Sequence, residues 1–213
     1  MTEIQFMSNQ KPILIASPPR CGTTLLAGLF HKHGAWIGKA RVTSYPKTNS
    51  LLGTENQDIK KYLKSLLGDY KNWNLPTPTI DNVRGFKEEI EGIVPDNQVW
   101  LVKTSNILFT WRLWRNAYPD AIWIFPKRDI NKIVDSAMRH PAMKKRGREK
   151  IDIFIEALQK RQEFISRFTK NRVFVNVNNI VNDGECKDLI EYVGLEYDQS
   201  ITDNWINKGM WHG

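Results

Sequence analysis

Cysteine is nearly absent from this sequence, with only Cys21 and Cys186 among 213 residues. Two cysteines exclude the disulfide framework of a small secreted scaffold and point to a reducing compartment. Long apolar runs are missing as well, and none approaches the roughly 20 residues that span a bilayer. Residues 1–11 lack the basic-then-apolar pattern of a secretory leader. The expectation is therefore a cytoplasmic protein without a membrane span. Acidic residues are in deficit, 23 against 31 Lys and Arg, for a net charge of +8. That balance favours an anionic partner (a polyphosphorylated ligand, a nucleic acid or an acidic acceptor) without choosing among them. No repeat, low-complexity tract or linker divides the chain. Its length then suits one domain, with a core over about 12–195 and a C-terminal tail over 196–213.

What is present is an alternation of short apolar runs with helical periodicity. The chain is organised around residues 12–30. Ile13, Leu14, Ile15 and Ala16 form an apolar run that reads as a strand buried on both faces. From Thr24 onward, Leu25, Leu26, Leu29 and Phe30 recur at helical spacing. Between them lies the turn Pro19-Arg20-Cys21-Gly22-Thr23-Thr24. A strand-turn-helix of this kind aims the free N–H groups and the positive dipole end of the helix into the turn, where a phosphate is the usual occupant. Gly22 permits close backbone approach, Thr23 and Thr24 offer hydroxyl donors, and Arg20 offers a fork suited to phosphate oxygens. Alternatively, the same polar residues merely cap the helix.

Further on, a loop-like stretch over 39–55 precedes a helix from about Asn56, with Ile59, Tyr62, Leu63, Leu66 and Leu67 on one face. Residues 71–95 read as irregular apart from a short helix near Phe86 to Gly92, and Trp73 there lines a pocket or anchors the loop. Val99–Lys103 is a second strand, and Ser105 is the expected N-cap of the helix after it. Ala121–Phe125 is a third strand, followed by a helix starting at Asp129 and stopped at Pro141. A long helix is expected over about 150–169, a fourth strand over 172–177 and a short helix over 185–193, ended by Gly194. Alternating strands and helices argue for an α/β fold with a parallel sheet covered by helices on both faces.

The loop departs from the nucleotide form G-x-x-x-x-G-K-[ST], because Thr23 stands where the phosphate-binding Lys belongs and Ser17 replaces the first glycine. Arg20-Cys21-Gly22-Thr23-Thr24 instead resembles the 5′-phosphosulfate loop of sulfotransferases that use 3′-phosphoadenosine 5′-phosphosulfate (PAPS), with Cys21 in place of the usual Ser. A second motif carries the same resemblance. The family binds the 3′-phosphate with an Arg at a strand end and a Ser eight residues later, and Arg128 and Ser136 reproduce that spacing. The resemblance implies a P-loop-NTPase-like sheet of about four to five strands. It also implies cofactor contacts from Arg20, Cys21, Gly22, Thr23, Thr24, Arg128 and Ser136. Asn207-Lys208-Gly209 faintly resembles a further 3′-phosphate run, which adds Lys208. The match spans 12–195 and is closer to bacterial and carbohydrate-type members than to cytosolic ones.

The catalytic assignments also follow from the resemblance. Lys103 corresponds to the strand-end Lys near the transferred sulfuryl group, although a solvated Lys would give the same letters. Arg20 would assist it. Cytosolic members carry a His base two residues after that Lys, whereas this chain has Ser105. Glu55, in Leu52-Gly53-Thr54-Glu55-Asn56, resembles the Gly-x-x-Glu run of bacterial members and is the candidate base. It also suits a helix N-terminus as a plain dipole partner. His31 and His33 are rival bases, and His140 and His212 have less support. The stacking Trp of cytosolic members is replaced by Leu25, and their Tyr-Glu-Asp-Leu run aligns best with Val177-Asn178-Asn179-Ile180. Nine Lys and Arg against three acids over 127–150 form either an anion funnel or a solvated face.

The resulting expectation is sulfuryl transfer from PAPS to a hydroxyl or amine of a small-molecule, carbohydrate or lipid acceptor. No metal is expected, and no specific nucleic acid. A nucleotide or small-molecule kinase on the same scaffold is one alternative, and a non-catalytic binder of nucleotides or nucleic acid is another.

Overall fold

A computed structural model of the chain describes residues 11–39, 54–68 and 82–206. Trp73, Lys208 and His212 lie outside the described residues. Four parallel strands form one sheet in the order β2-β1-β3-β4, where β1 is Ile13–Ile15, β2 Leu101–Lys103, β3 Ile122–Lys127 and β4 Asn171–Asn176. The register aligns Ile15 with Lys103 on one side and Ile124 on the other. Because strand side chains alternate between faces, Leu14, Ala16, Val102, Trp123 and Phe125 pack on one side. Ile13, Ile15, Leu101, Ile122 and Ile124 pack on the other. This double burial explains why the strands read as continuous apolar runs.

Helices cover both faces. On the first lie α2 (Gln57–Leu67), α3 (Val83–Glu91), α4 (Ile107–Ala117) and α7 (Arg148–Ser166). On the second lie α1 (Thr23–Lys32), α8 (Val177–Asp183), α9 (Lys187–Tyr192) and α10 (Gln199–Trp205). A third cluster joins Cys21 to α5 (Ile130–Met138) and α7 through Ile133, Val134, Ala137, Ile151 and Ile155. The short α6 spans Pro141–Lys144. No helix among the described residues is long and apolar enough to cross a membrane.

Most expected elements are present, with four corrections. Asn106, not Ser105, is the N-cap of α4. Ser105 instead accepts the Leu108 N–H on its carbonyl, and the Thr104 hydroxyl accepts the Asn106 N–H. Pro141 ends α5 and also opens α6 at N1, where its missing N–H costs nothing. β3 runs on through Pro126 because β1 ends opposite Ile124, so no strand on that side needs the absent N–H. Val177 starts α8 rather than closing β4, since the Asn176 side chain accepts the Asn178 N–H and caps a helix at once.

Candidate active site

All the sequence-derived site residues that are described, apart from the histidines, gather at the carboxyl ends of β1, β2 and β3, where ligands bind in open parallel sheets. The turn after β1 carries two left-handed residues, Arg20 at φ 71° and Gly22 at φ 78°. For Arg20 that geometry is strained, a cost that clusters at ligand-holding loops. Gly22 is the N-cap of α1 and supplies no side-chain cap, and the first turn holds no acidic residue. The first helical hydrogen bond runs from the Leu26 N–H to the Gly22 carbonyl at 3.2 Å. The N–H groups of Thr23, Thr24 and Leu25 therefore remain outside the helix ladder, with the dipole behind them.

Cations surround this turn. The Arg20 Nε donates to the Ser136 Oγ at 3.1 Å, and an Arg128 terminal nitrogen donates to the Arg20 carbonyl at 2.9 Å. The two motifs, more than a hundred residues apart in sequence, thus form one cluster. Ser136 is buried on the second turn of α5, and Asp129 caps that helix by accepting the Lys132 N–H at 3.1 Å. Burial, offset by the nearby Cys21 sulfur and reinforced by Arg139 and Arg20, lowers the pKa of Arg128. The side chain of Cys21 points away from the turn into the α5–α7 cluster and is 1% exposed. Burial raises its thiol to about 11 against a lowering hydrogen bond from Ser17 and the Arg128 charge. It packs as a small neutral group, so only its backbone faces an anion.

Lys103 ends β2 with a side chain 12% exposed, and its ammonium donates to the Thr24 Oγ1 at 3.2 Å. Glu55 lies 3.8 Å from that ammonium and also accepts from Lys60. Desolvation lowers the pKa of Lys103; Glu55 opposes the shift, and the positive charges of Lys60 and Arg20 add to it. A lysine in that state is a stronger acid than usual. Glu55 sits one residue before Asn56, whose Oδ1 caps α2 by accepting from Asp58 and Ile59 at 3.0 and 2.9 Å. The Glu55 carboxylate is turned to the two lysines, not to the helix N–H groups.

The rival histidines are elsewhere. His31 and His33 close the far end of α1, about 15 Å from the turn for a ten-residue helix. His31 Nδ1 lies 3.0 Å from the Ala35 carbonyl. His33 is buried, with Nδ1 2.9 Å from the Leu29 carbonyl and Nε2 3.2 Å from that of Asp198. His140 is the N-cap of α6.

Two features were not foreseen. The Trp205 Nε1 donates to the Leu25 carbonyl at 3.0 Å, bringing an indole to the first turns of α1. Gly28 makes this approach possible, since a Cβ there would lie 1.9 Å from the Trp205 ring. A glycine in the middle of an amphipathic helix was the available signal. The second feature is a cleft of about 440 Å³ at the ends of β3 and β4, whose lining includes Lys127, Arg128, Gln159, Phe174 and Asn176.

Comparison with known proteins bears on the fold. No family model matches the chain, and no curated protein matches it. Among solved structures, the chain is similar to the sulfotransferase domain of the olefin synthase from Synechococcus PCC 7002. The match has a TM-score of 0.54 and 15% identity, covering 91% of this chain and 77% of that one. The two share a fold. At that identity the likeness concerns architecture alone, a four-stranded parallel sheet between helical layers.

Proposed function

We propose that this protein is a PAPS-dependent sulfotransferase acting on an acceptor hydroxyl or amine. The observation that carries the reading is the convergence of Arg20, Lys103, Arg128 and Ser136 on one uncapped helix N-terminus. Such a site suits a ligand with two separate anionic groups, and the similar solved structure is a sulfotransferase domain. When bound, PAPS supplies the activated sulfuryl group.

In this reading the N–H groups of residues 22–25, the Thr23 and Thr24 hydroxyls and the Arg20 backbone hold the 5′-phosphosulfate end. Arg128 and Ser136 hold the 3′-phosphate, with the Arg20 side chain bridging the two ends. Trp205 offers an aromatic ring beside Leu25, where a purine could stack. Lys103, held by Thr24 and Glu55, presents its acidified ammonium where negative charge grows on the departing oxygen. Glu55 accepts the acceptor's proton, which Lys60 and Lys103 keep the carboxylate positioned to receive. Most of the rate would come from orientation and charge stabilisation.

The test is a transfer assay with radiolabelled PAPS over a panel of small alcohols, amines, carbohydrates and lipids. Label should move to one acceptor class, and Glu55→Gln should slow transfer by about 10²–10⁴-fold with donor binding retained. Phosphoryl transfer from magnesium-ATP, with none from PAPS, would refute the reading in favour of a kinase.

A further inference from the structure

We propose that the outer face of α4 and α7, at the amino-terminal end of the sheet, is a docking surface for an anionic lipid bilayer. The face lies opposite the candidate active site. α4 leaves the carboxyl end of β2 and descends to Ala117 before β3, while α7 descends to Ser166 before β4. The Asn171 side chain ties the start of β4 to the Asp120 carbonyl at 3.0 Å, at that lower rim.

Large apolar side chains stand out of this face. Phe164 and Phe168, at this lower end, are each 46% exposed, and Ile153, higher on α7, is 62% exposed. Ile153, Ala157 and Phe164 fall within about 40° of one another around α7 at 100° per residue, on the side opposite its buried stripe. Phe168, just past the helix end, packs on Phe164 with ring centroids 4.9 Å apart. Both rings also contact Trp111 of α4, at 6.1 and 5.7 Å. The Trp111–Phe164–Phe168 cluster is therefore an aromatic patch outside the core-facing stripe of α7, with the exposed Glu156–Lys160 ion pair further up the same side.

Cations frame the aromatic cluster. The guanidinium groups of Arg112 and Arg115 lie over the Trp111 ring at 5.4 and 5.3 Å. Neither makes an ion pair among the described residues. Exposed Arg167 and Lys170 flank Phe168. Aromatic rings ringed by arginines match an anionic lipid interface, where rings enter the acyl boundary and guanidiniums meet headgroups. A second copy of the chain fits poorly, since a two-fold contact would set Arg112 and Arg115 against their own kind. The clefts between α2 and α3 and beside Arg128 lie away from this face. A protein partner typically anchors a side chain in a pocket, whereas a bilayer accepts an inserted ring.

The test is co-sedimentation of the full chain with phosphatidylcholine vesicles made with and without phosphatidylglycerol. Binding should require phosphatidylglycerol and weaken with salt. Arg112→Gln with Arg115→Gln should weaken it roughly five-fold per arginine. Lys61→Gln with Lys64→Gln, an equal charge change on α2, should have a much smaller effect. Phe164→Ser with Phe168→Ser should remove binding while the circular dichroism spectrum is kept. If that pair fails to fold, the arginine pair decides alone. No vesicle binding would overturn the proposal, as would equal losses from the arginine and lysine pairs. A concentration-dependent dimer lost in Phe164→Ser/Phe168→Ser would assign the face to a second copy. Binding of polyglutamate without vesicle binding would assign it to an acidic protein.

Discussion

Replacing Gly28 by alanine separates the docked C-terminal helix from a merely adjacent one. In an ordinary helix interior the change stabilises by about 1 kcal/mol, because glycine loses more backbone entropy. In this fold the new methyl would lie 1.9 Å from Trp205 Cζ2, and 2.6 and 2.7 Å from two neighbouring ring atoms. An indole is rigid, so the ring or α10 must move. Overpacking of this kind costs about 1–3 kcal/mol. Moving the ring also strains the hydrogen bond from Trp205 Nε1 to the Leu25 carbonyl, worth about 1 kcal/mol. The net expectation is a loss of about 1–3 kcal/mol, read as a lower urea midpoint at unchanged slope. In a Trp205→Ala background the clash is gone, and Gly28→Ala should stabilise by up to about 1 kcal/mol. The sign reversal is the signature, measured as a double-mutant cycle. Equal stabilisation by Gly28→Ala in both backgrounds would refute the docking of Trp205 on α1, and with it the ring offered beside Leu25.

Other consequences follow from the buried ionisable groups. Lys103 sits at a desolvated site, and its lowered pKa means that the unfolded chain binds more protons below the ordinary lysine value of 10.5. Stability should therefore rise with pH toward 10.5, through the window above the folded-state pKa. Lys103→Met should flatten this rise in denaturation measured at pH 7 and at pH 10, and an unchanged slope would contradict it. Cys21 and Cys186 are both free and buried, and burial raises both thiols. The native protein should resist iodoacetamide at pH 8 and react only when unfolded, as mass spectrometry would register. Rapid native labelling would place a thiol outside its packed cluster. Ser136→Ala should free Arg20 Nε from its 3.1 Å partner. Binding of 3′-phosphoadenosine 5′-phosphate should then weaken about 5- to 10-fold, for the loss of about 1 kcal/mol or slightly more. Unchanged affinity would remove Ser136 from the site.

The strands and the anion turn were legible because local chemistry determines them. Ile13–Ile15 and Ile122–Phe125 are apolar without a break since both sheet faces are covered. Gly22 was legible as the point of close backbone approach in the turn, and the helix expected from about Asn56 begins with Asn56 as its cap. Other features depend on partners remote in sequence. No periodicity could show that Arg20 turns to Ser136, 116 residues away, or that Cys21 faces Ile133 and Ile155. The short α10 buries little beyond Thr202 and the inner part of Trp205, so its pattern alone is too weak to mark a helix. α8 was hidden because Asn176 closes β4 and caps the helix without an intervening turn. His31 and His33 suited a base in composition and failed on position, as α1 carries them to the opposite end of the sheet.

The most direct measurement is calorimetric titration of the protein with 3′-phosphoadenosine 5′-phosphate in the absence of magnesium, beside ATP and the Arg128→Ala variant. The account predicts micromolar binding of the bisphosphate and none of ATP. Losing the guanidinium should weaken binding by about 10- to 150-fold, the worth of a charge-assisted hydrogen bond of about 1.5–3 kcal/mol. Absent binding, or ATP binding that requires magnesium and ignores Arg128, would contradict it.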